Sequence, residues 1–288
     1  LFSFTSKFLQ HTKSERKKLY SMNLINFVLM LLLLTVSALP LSFVFNLWAT
    51  AFFTGQGNSG SLILVTVGAL LLIVLMFLML TFPLLTGSIR SIYHAVAEHD
   101  SVKWSHLFQS FKGKVWLKSV LVGLTSTLFM LVVFIVDYFI TVGLRNMFGS
   151  LATSETSVML VLFVISIISS IYTWLMFVFI INMVIAFIKN PQDKVRDDMK
   201  AAWQAMRNGQ KTFLSFYIGI LLLNFVLLLI TGPVIATIQM NLAHISQNTA
   251  QIITWVVNVL YFFIRYTVYF FIIGTIVTYY HHQGRKDA

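Results

Sequence analysis

Hydrophobic residues along this chain fall in long unbroken blocks, not in the alternating or one-faced patterns of water-soluble domains. Six blocks reach the roughly 20 mostly apolar residues that a helix needs to cross a bilayer. They cover residues 24–53, 62–88, 115–144, 158–188, 213–238 and 252–280. Several exceed that minimum, so tilt, or helix running past the hydrocarbon, is expected. The pattern predicts an all-α fold: a polytopic transmembrane helix bundle of six crossings, forming one integral membrane domain over residues 1–288.

The polar connections alternate in character. Residues 54–61 carry no charge, residues 241–250 none apart from His244, and residues 146–157 only Glu155. The connections 90–118 and 189–211 are long and basic, as are both tails. With the tails and these two connections on one side, that side holds 18 of the 20 Lys and Arg residues, and only Arg145 and Arg265 lie elsewhere. The positive-inside rule then makes that side cytoplasmic, with both termini inside.

Composition agrees. The chain is 58% hydrophobic and 10% charged, against about 25% charged residues in soluble domains, and no polar block is long enough for a second, soluble domain. The net charge of +11 therefore gathers at one membrane face, where each Lys or Arg near anionic headgroups contributes about 1 kcal/mol. Membrane lipids are the expected partners, with a membrane-protein partner also open. Nucleic-acid binding would need interleaved aromatics and a soluble domain, and is not expected. With no cysteine there is no disulfide, thiolate nucleophile or Cys-based metal site, which fits a bacterial plasma-membrane protein. The basic stretch 1–20 reads as a tail and not a cleavable signal, because the apolar run after it is too long and lacks a small-residue cleavage site.

Two basic connections carry helical patterning. In 189–211, Pro191 suits a first helical turn, and Asp193, Asp197 and Asp198 favour the helix dipole. Val195, Met199, Ala202, Trp203 and Met206 form one apolar stripe, and Asn208-Gly209 ends it as a C-cap would. This predicts an amphipathic helix along the inner interface, with Trp203 at headgroup depth. In 90–118, Asp100 and Ser101 can cap a similar helix holding Val102, Trp104, Leu107, Phe108 and Phe111. The stretch from Phe108 to Gly113 matches that from Trp203 to Gly209 once gaps are allowed, which suggests an internal repeat of 100–144 and 191–238, with residues 8–20 as a third, degraded copy.

The runs Pro83-Leu84-Leu85-Thr86-Gly87, Trp104-Ser105-His106-Leu107-Phe108-Gln109-Ser110-Phe111-Lys112, Asn190-Pro191 and residues 201–213 resemble a bacterial domain-of-unknown-function family, the DUF nine-seven-five type. They are also similar in style to YciC-like proteins and to the membrane domain of some glycerophosphodiester phosphodiesterases. The resemblance spans residues 80–230 and implies a polytopic envelope protein without an assigned reaction. It brings no phosphodiesterase activity, because that appended domain is not in this chain.

Candidate chemistry is sparse. Asp137 and Arg265 are the only strongly charged residues deep within apolar blocks. A charge at the bilayer centre costs about 2.5–3.5 kcal/mol on insertion scales and is often functional. Either the two form an interhelical ion pair or they line a polar cavity for a substrate or ion. His94, Glu98 and His99 fall short of a metal site, which wants three ligands and supporting partners, and read as interface-exposed polar residues. His281-His282 reads as a solvated tail. No phosphate-binding glycine loop or nucleophile elbow is present, so no catalytic residue, cofactor or metal is expected. Pro40, Pro83 and Pro233 are expected to kink their crossings, and such breaks can frame a cavity. Two functions stay open: a non-enzymatic envelope protein that scaffolds, stabilises or regulates partners or lipids, and a transporter or permease component moving a lipid, peptide or small solute.

Overall fold

A computed structural model gives the structure of the chain and describes residues 1–55, 59–97, 102–149, 154–207, 212–242 and 246–285. Among these every regular element is helical. The order is α1 (Ser3–His11), α2 (Arg16–Thr54), α3 (Ser59–Met76), α4 (Phe82–Ala97), α5 (Ser105–Phe108), α6 (Gly113–Phe148), α7 (Glu155–Lys189), α8 (Val195–Met206), α9 (Phe213–Leu229), α10 (Ile235–Leu242) and α11 (Gln247–His281). Six helices are long and apolar enough to cross a membrane, α3 and α4 joining into one crossing, Ser59–Ala97. The protein is a multi-pass membrane protein, with each crossing close to the block its hydropathy marks.

Of the three prolines within crossings, two sit at changes of helix type. A π-helical turn, Phe77–Thr81, precedes Pro83, and a second, Ile230–Val234, contains Pro233. Proline offers no N–H and crowds the carbonyl one turn back, so a widened turn relieves both problems. The carbonyl deprived by Pro83 is that of Met79, and the Trp116 indole Nε1 donates to it at 3.1 Å. Pro40, by contrast, is carried within the continuous helix α2.

Three crossings form the centre: α4, α7 and α11 each pack against the other two. The other long helices lie around them, α6 against α4 and α7, and α9 against α7 and α11. The α2 helix packs on α4 and meets α11 through Tyr20, whose hydroxyl pairs with Thr267 Oγ1 at 2.8 Å. One relationship recurs three times. A short helix precedes a long outer one and packs on the central helix of the preceding unit: α5 on α4, α8 on α7, and α1 on α11, which closes the ring. Glycine makes two of these contacts possible. A Cβ on Gly87 would stand 2.0 Å from the Leu107 carbonyl oxygen, and one on Gly274 would stand 2.4 Å from the Phe8 ring.

The short segments differ in regularity. The α8 helix follows its predicted pattern, and its buried face includes Asp198 and Ala202, while Val195, Met199 and Met206 pack against the core partly buried. Trp203 stays exposed. The α5 segment is one helical turn followed by a 3-10 turn, Gln109–Phe111. Val102 and Leu107 are both buried there, whereas Trp104 and Phe108 are exposed. Residues five apart do not share a helical face, so burying both shortens the helix that the sequence suggested. The expected caps at Asp100, Ser101, Asn208 and Gly209 lie outside the described residues, as do Glu98 and His99.

Burial is uneven along the bundle. The core cluster gathers at the end that carries the basic segments. There α7 is buried on every side, from Ile180 through Ile188. Lipid tails are as apolar as leucine, so helix association in a bilayer depends on close packing and interhelical hydrogen bonds, and this end is rich in both. Asn26 Nδ2 donates to the Leu84 carbonyl at 2.8 Å and to Ser88 Oγ at 2.7 Å, and Asn23 Nδ2 donates to Ser91 Oγ at 3.0 Å. Thr5 and Thr275 pair through their hydroxyls at 2.9 Å. Toward the opposite end the crossings present large apolar side chains outward, including Phe52, Leu64, Phe139 and Trp255.

Candidate functional site

Asp137 marks the main polar feature of the less packed half. The α6 helix carries it with Thr141 one turn on, and both line a cleft of about 330 Å³. Facing them, α7 supplies Ser166, Ser169, Ser170 and Thr173, spaced i, i+3, i+4 and i+7 and therefore on one helical face. Asn224 of α9 and Tyr269 of α11 complete the polar part of the lining, beside Ile165, Trp174, Phe177 and Leu228. At 1.5 Å per residue, Ser169 lies roughly 30 Å along α7 from Lys189, and Asn224 roughly 16 Å along α9 from Phe213. The cleft thus reaches from the far side toward mid-bundle.

The carboxylate is held on one side only. Asp137 Oδ1 accepts a hydrogen bond from Ser169 Oγ at 2.5 Å and another from the Tyr172 hydroxyl. Ser166 and Ser170 donate to carbonyls of their own helix, those of Leu162 and Ile167. Their protons are spent within α7, and that of Ser169 on Asp137 of α6, so these hydroxyls offer the cleft lone pairs. With the carboxylate, these three serines set a row of acceptors along the α7 face of the cleft.

Asp137 and Arg265 form no ion pair among the described residues. Each reaches a different partner: Asp137 is held by Ser169 and Tyr172, and Arg265 by Tyr269. Arg265 Nε donates to the Tyr269 hydroxyl at 3.2 Å, and the guanidinium lies 5.2 Å from that ring's centre. Arg265 is exposed, whereas Asp137 is half-buried. Asp137 and Tyr269 both line the cleft, whereas Arg265 is not among its lining residues and reaches only Tyr269.

Two apolar spaces adjoin the cleft. A groove of about 440 Å³ runs between α6, α7 and α8, lined by Phe129, Val133, Tyr172, Met176, Trp203 and Met206. Tyr172 links the two: it lines the groove, and its hydroxyl donates to Asp137 of the cleft. Trp203 and Met206 reach this groove because α8 folds back along α7, where Met176 lies roughly 20 Å from Lys189. A further space of about 480 Å³ between α7 and the second π-helical turn is lined by Phe163, Thr231 and Pro233 and shares Ser166 and Leu228 with the polar cleft. Pro233 therefore borders a cavity.

Histidines gather at the basic end. His94 and His106 rings lie 4.6 Å apart, and His11 and His282 rings 5.3 Å apart. His281 packs 6.4 Å from Tyr93. His281 and His282 are half-buried and so form no solvated tail. Burial, helped by Lys7, His281 and His11, pushes His282 down to about 4. Among the described residues no group of three His, Asp or Glu could hold a metal ion.

Three features escaped sequence reading. The Ser/Thr face of α7 is visible in the sequence as hydroxyls at helical spacing inside an apolar block. Asp198 reads as a solvated, dipole-favouring residue but is buried against Lys118. Arg90 counts as loop charge in the sequence, yet it lies within α4 at 3% exposure, its Nε and Nη2 without a hydrogen-bond partner among the described residues. No family model, curated protein or solved structure matches the chain in comparison.

Proposed function

We propose that this is a non-catalytic multi-pass protein of the bacterial plasma membrane, with both termini cytoplasmic, that scaffolds, stabilises or regulates membrane lipids or membrane-protein partners. The observation that carries this reading is the division of the bundle. One half is locked by packing and buried hydrogen bonds, and at its edge an apolar groove opens between α6, α7 and α8. A fixed base with an open flank suits holding something within the membrane plane. The basic residues at the packed end suit anionic headgroups, and the family resemblance points to an envelope protein in the same way.

The test is site-specific photo-cross-linking in native membranes. A photoreactive residue at Met176, within the groove, should yield a discrete lipid or protein adduct. The same residue at Leu71, on the exposed face of α3, should give only diffuse bulk-lipid labelling. Identical labelling at both positions counts against the proposal.

A second reading, a transporter or permease component, draws on a different observation. The acceptor-lined cleft at Asp137 continues through Ser166 and Leu228 into the 480 Å³ space beyond it, as an outer vestibule would. Uptake or release by proteoliposomes that depends on Asp137 would favour this reading over the first.

A further inference from the structure

The polar cleft, the apolar groove and Arg265 together describe a ligand, and we infer that they form a site for an amphiphile with a primary ammonium and a phosphate ester in its headgroup, its chain lying in the groove. This deepens the lipid-binding reading above and rests on it. The ammonium follows from the sign and kind of groups in the cleft. Asp137 Oδ1 already takes two hydroxyl protons, and its other oxygen takes none from the described residues. Ser166, Ser169 and Ser170 have spent their protons elsewhere. What the cleft lacks is a cationic group to meet that carboxylate: no Lys, Arg or His is among its lining residues. A primary ammonium brings three N–H groups and a positive charge, which suits the open carboxylate oxygen and the serine lone pairs. A quaternary ammonium has no N–H to give.

The phosphate follows from Arg265. Its Nε is engaged by Tyr269, which fixes the guanidinium against the ring. The terminal nitrogens make no hydrogen bond or ion pair with the described residues, and two parallel N–H donors match a phosphate's oxygens. Tyr269 lines the cleft with Asp137 and holds Arg265, which links the carboxylate's cleft to the guanidinium. The chain follows from Tyr172, which joins the carboxylate to the apolar groove. A headgroup at Asp137 would leave its acyl chains beside Phe129, Val133 and Met176.

The test uses the intact protein in detergent, with bound lipid counted by native mass spectrometry. Ethanolamine, choline and glycerol phospholipids with identical acyl chains are added one at a time, with soluble phosphoethanolamine as a chainless arm. The ethanolamine lipid should be retained at least tenfold better than the other two, and soluble phosphoethanolamine should compete only weakly. Asp137→Asn should erase the preference for ethanolamine over choline, and Arg265→Gln should weaken both without changing their ratio. Strong competition by soluble phosphoethanolamine would overturn the amphiphile part and leave a headgroup-sized solute site. Equal retention of all three lipids by the native protein would overturn the inference while leaving lipid binding standing. Retention of no lipid, with no groove cross-link, would remove the underlying reading as well. The comparison of lipids on the native chain needs no variant, so it decides even if a variant misfolds.

Discussion

The Lys118 ammonium and the Asp198 carboxylate lie 3.0 Å apart, with only 11% and 1% of their side chains exposed. The pair fastens α8 to the start of α6. Lys118 also donates to the Asn190 carbonyl at 3.1 Å and sits 5.1 Å from the centre of the Phe187 ring. Burial raises the Asp198 carboxyl above its usual value, and Lys118 works against that rise. Removing one member of a buried pair strands the other, typically at about 3–5 kcal/mol, whereas replacing both by apolar groups is often neutral. Lys118→Met alone should therefore lower the thermal unfolding midpoint markedly, and Lys118→Met with Asp198→Leu should recover most of the loss. If the double variant unfolds as early as the single one, the pair does not act as a fastening.

Trp116 supplies the hydrogen bond that Pro83 cannot. In lipid no water is on hand to satisfy the Met79 carbonyl, so Trp116→Phe should cost about 1–3 kcal/mol, the penalty of an acceptor left unsatisfied away from water. Restoring an ordinary helical bond with Pro83→Ala should relieve the defect in the Trp116→Phe background. Unfolding midpoints of the single and double variants check this. An additive loss would separate the two residues.

Gly87 is where the backbone of α5 meets α4. A methyl group there would meet the Leu107 carbonyl oxygen at 2.0 Å, and backbone cannot rotate aside as a side chain can. Gly87→Ala should destabilise by about 1–3 kcal/mol, the usual range for overpacking. It should also speed hydrogen exchange in residues 102–111. Gly68, with nothing within 4 Å of its added Cβ, is the control, and Gly68→Ala should be close to neutral. Equal effects at the two positions would contradict the close approach.

His282 gives the basic end an acid limit. Its ordinary value is 6.5, and in the folded chain burial and neighbouring Lys7, His281 and His11 hold it at about 4. A depressed value in a base means that the native state resists protonation while the unfolded state accepts it. The contribution is present above pH 6.5 and is lost as pH falls through 4. His282→Gln should flatten the decline of the unfolding midpoint across that window and leave pH 8 little changed. An identical slope in the variant would assign the decline to other groups.

Six crossings and the clustering of basic segments were legible because lipid demands long apolar runs and insertion sorts charge, and both leave marks in one dimension. The α8 helix was legible for a related reason: Val195, Met199, Ala202 and Met206 keep one face. The fate of individual charges was not. Asp198 and Arg90 look like surface charge until α6 and the central helices close over them. Asp137 and Arg265 drew attention by their apolar surroundings, but their true partners, Ser169, Tyr172 and Tyr269, depend on helix rotation, which hydropathy does not encode. The hydroxyl face of α7 was readable by spacing alone, since Ser166, Ser169, Ser170 and Thr173 repeat with the helix.

The division into a locked basic half and an open far half separates a scaffold from a permease that alternates its access. The chain contains no cysteine, so cysteines placed at Gln10 of α1 and Lys200 of α8, both exposed, carry spin labels at those positions alone. Their distance distribution, measured by double electron–electron resonance in lipid nanodiscs with and without added ethanolamine lipid, tests the claim most directly. A single narrow distribution that stays in place is the expected result. Two populations whose balance shifts with the lipid would contradict it and favour alternating access.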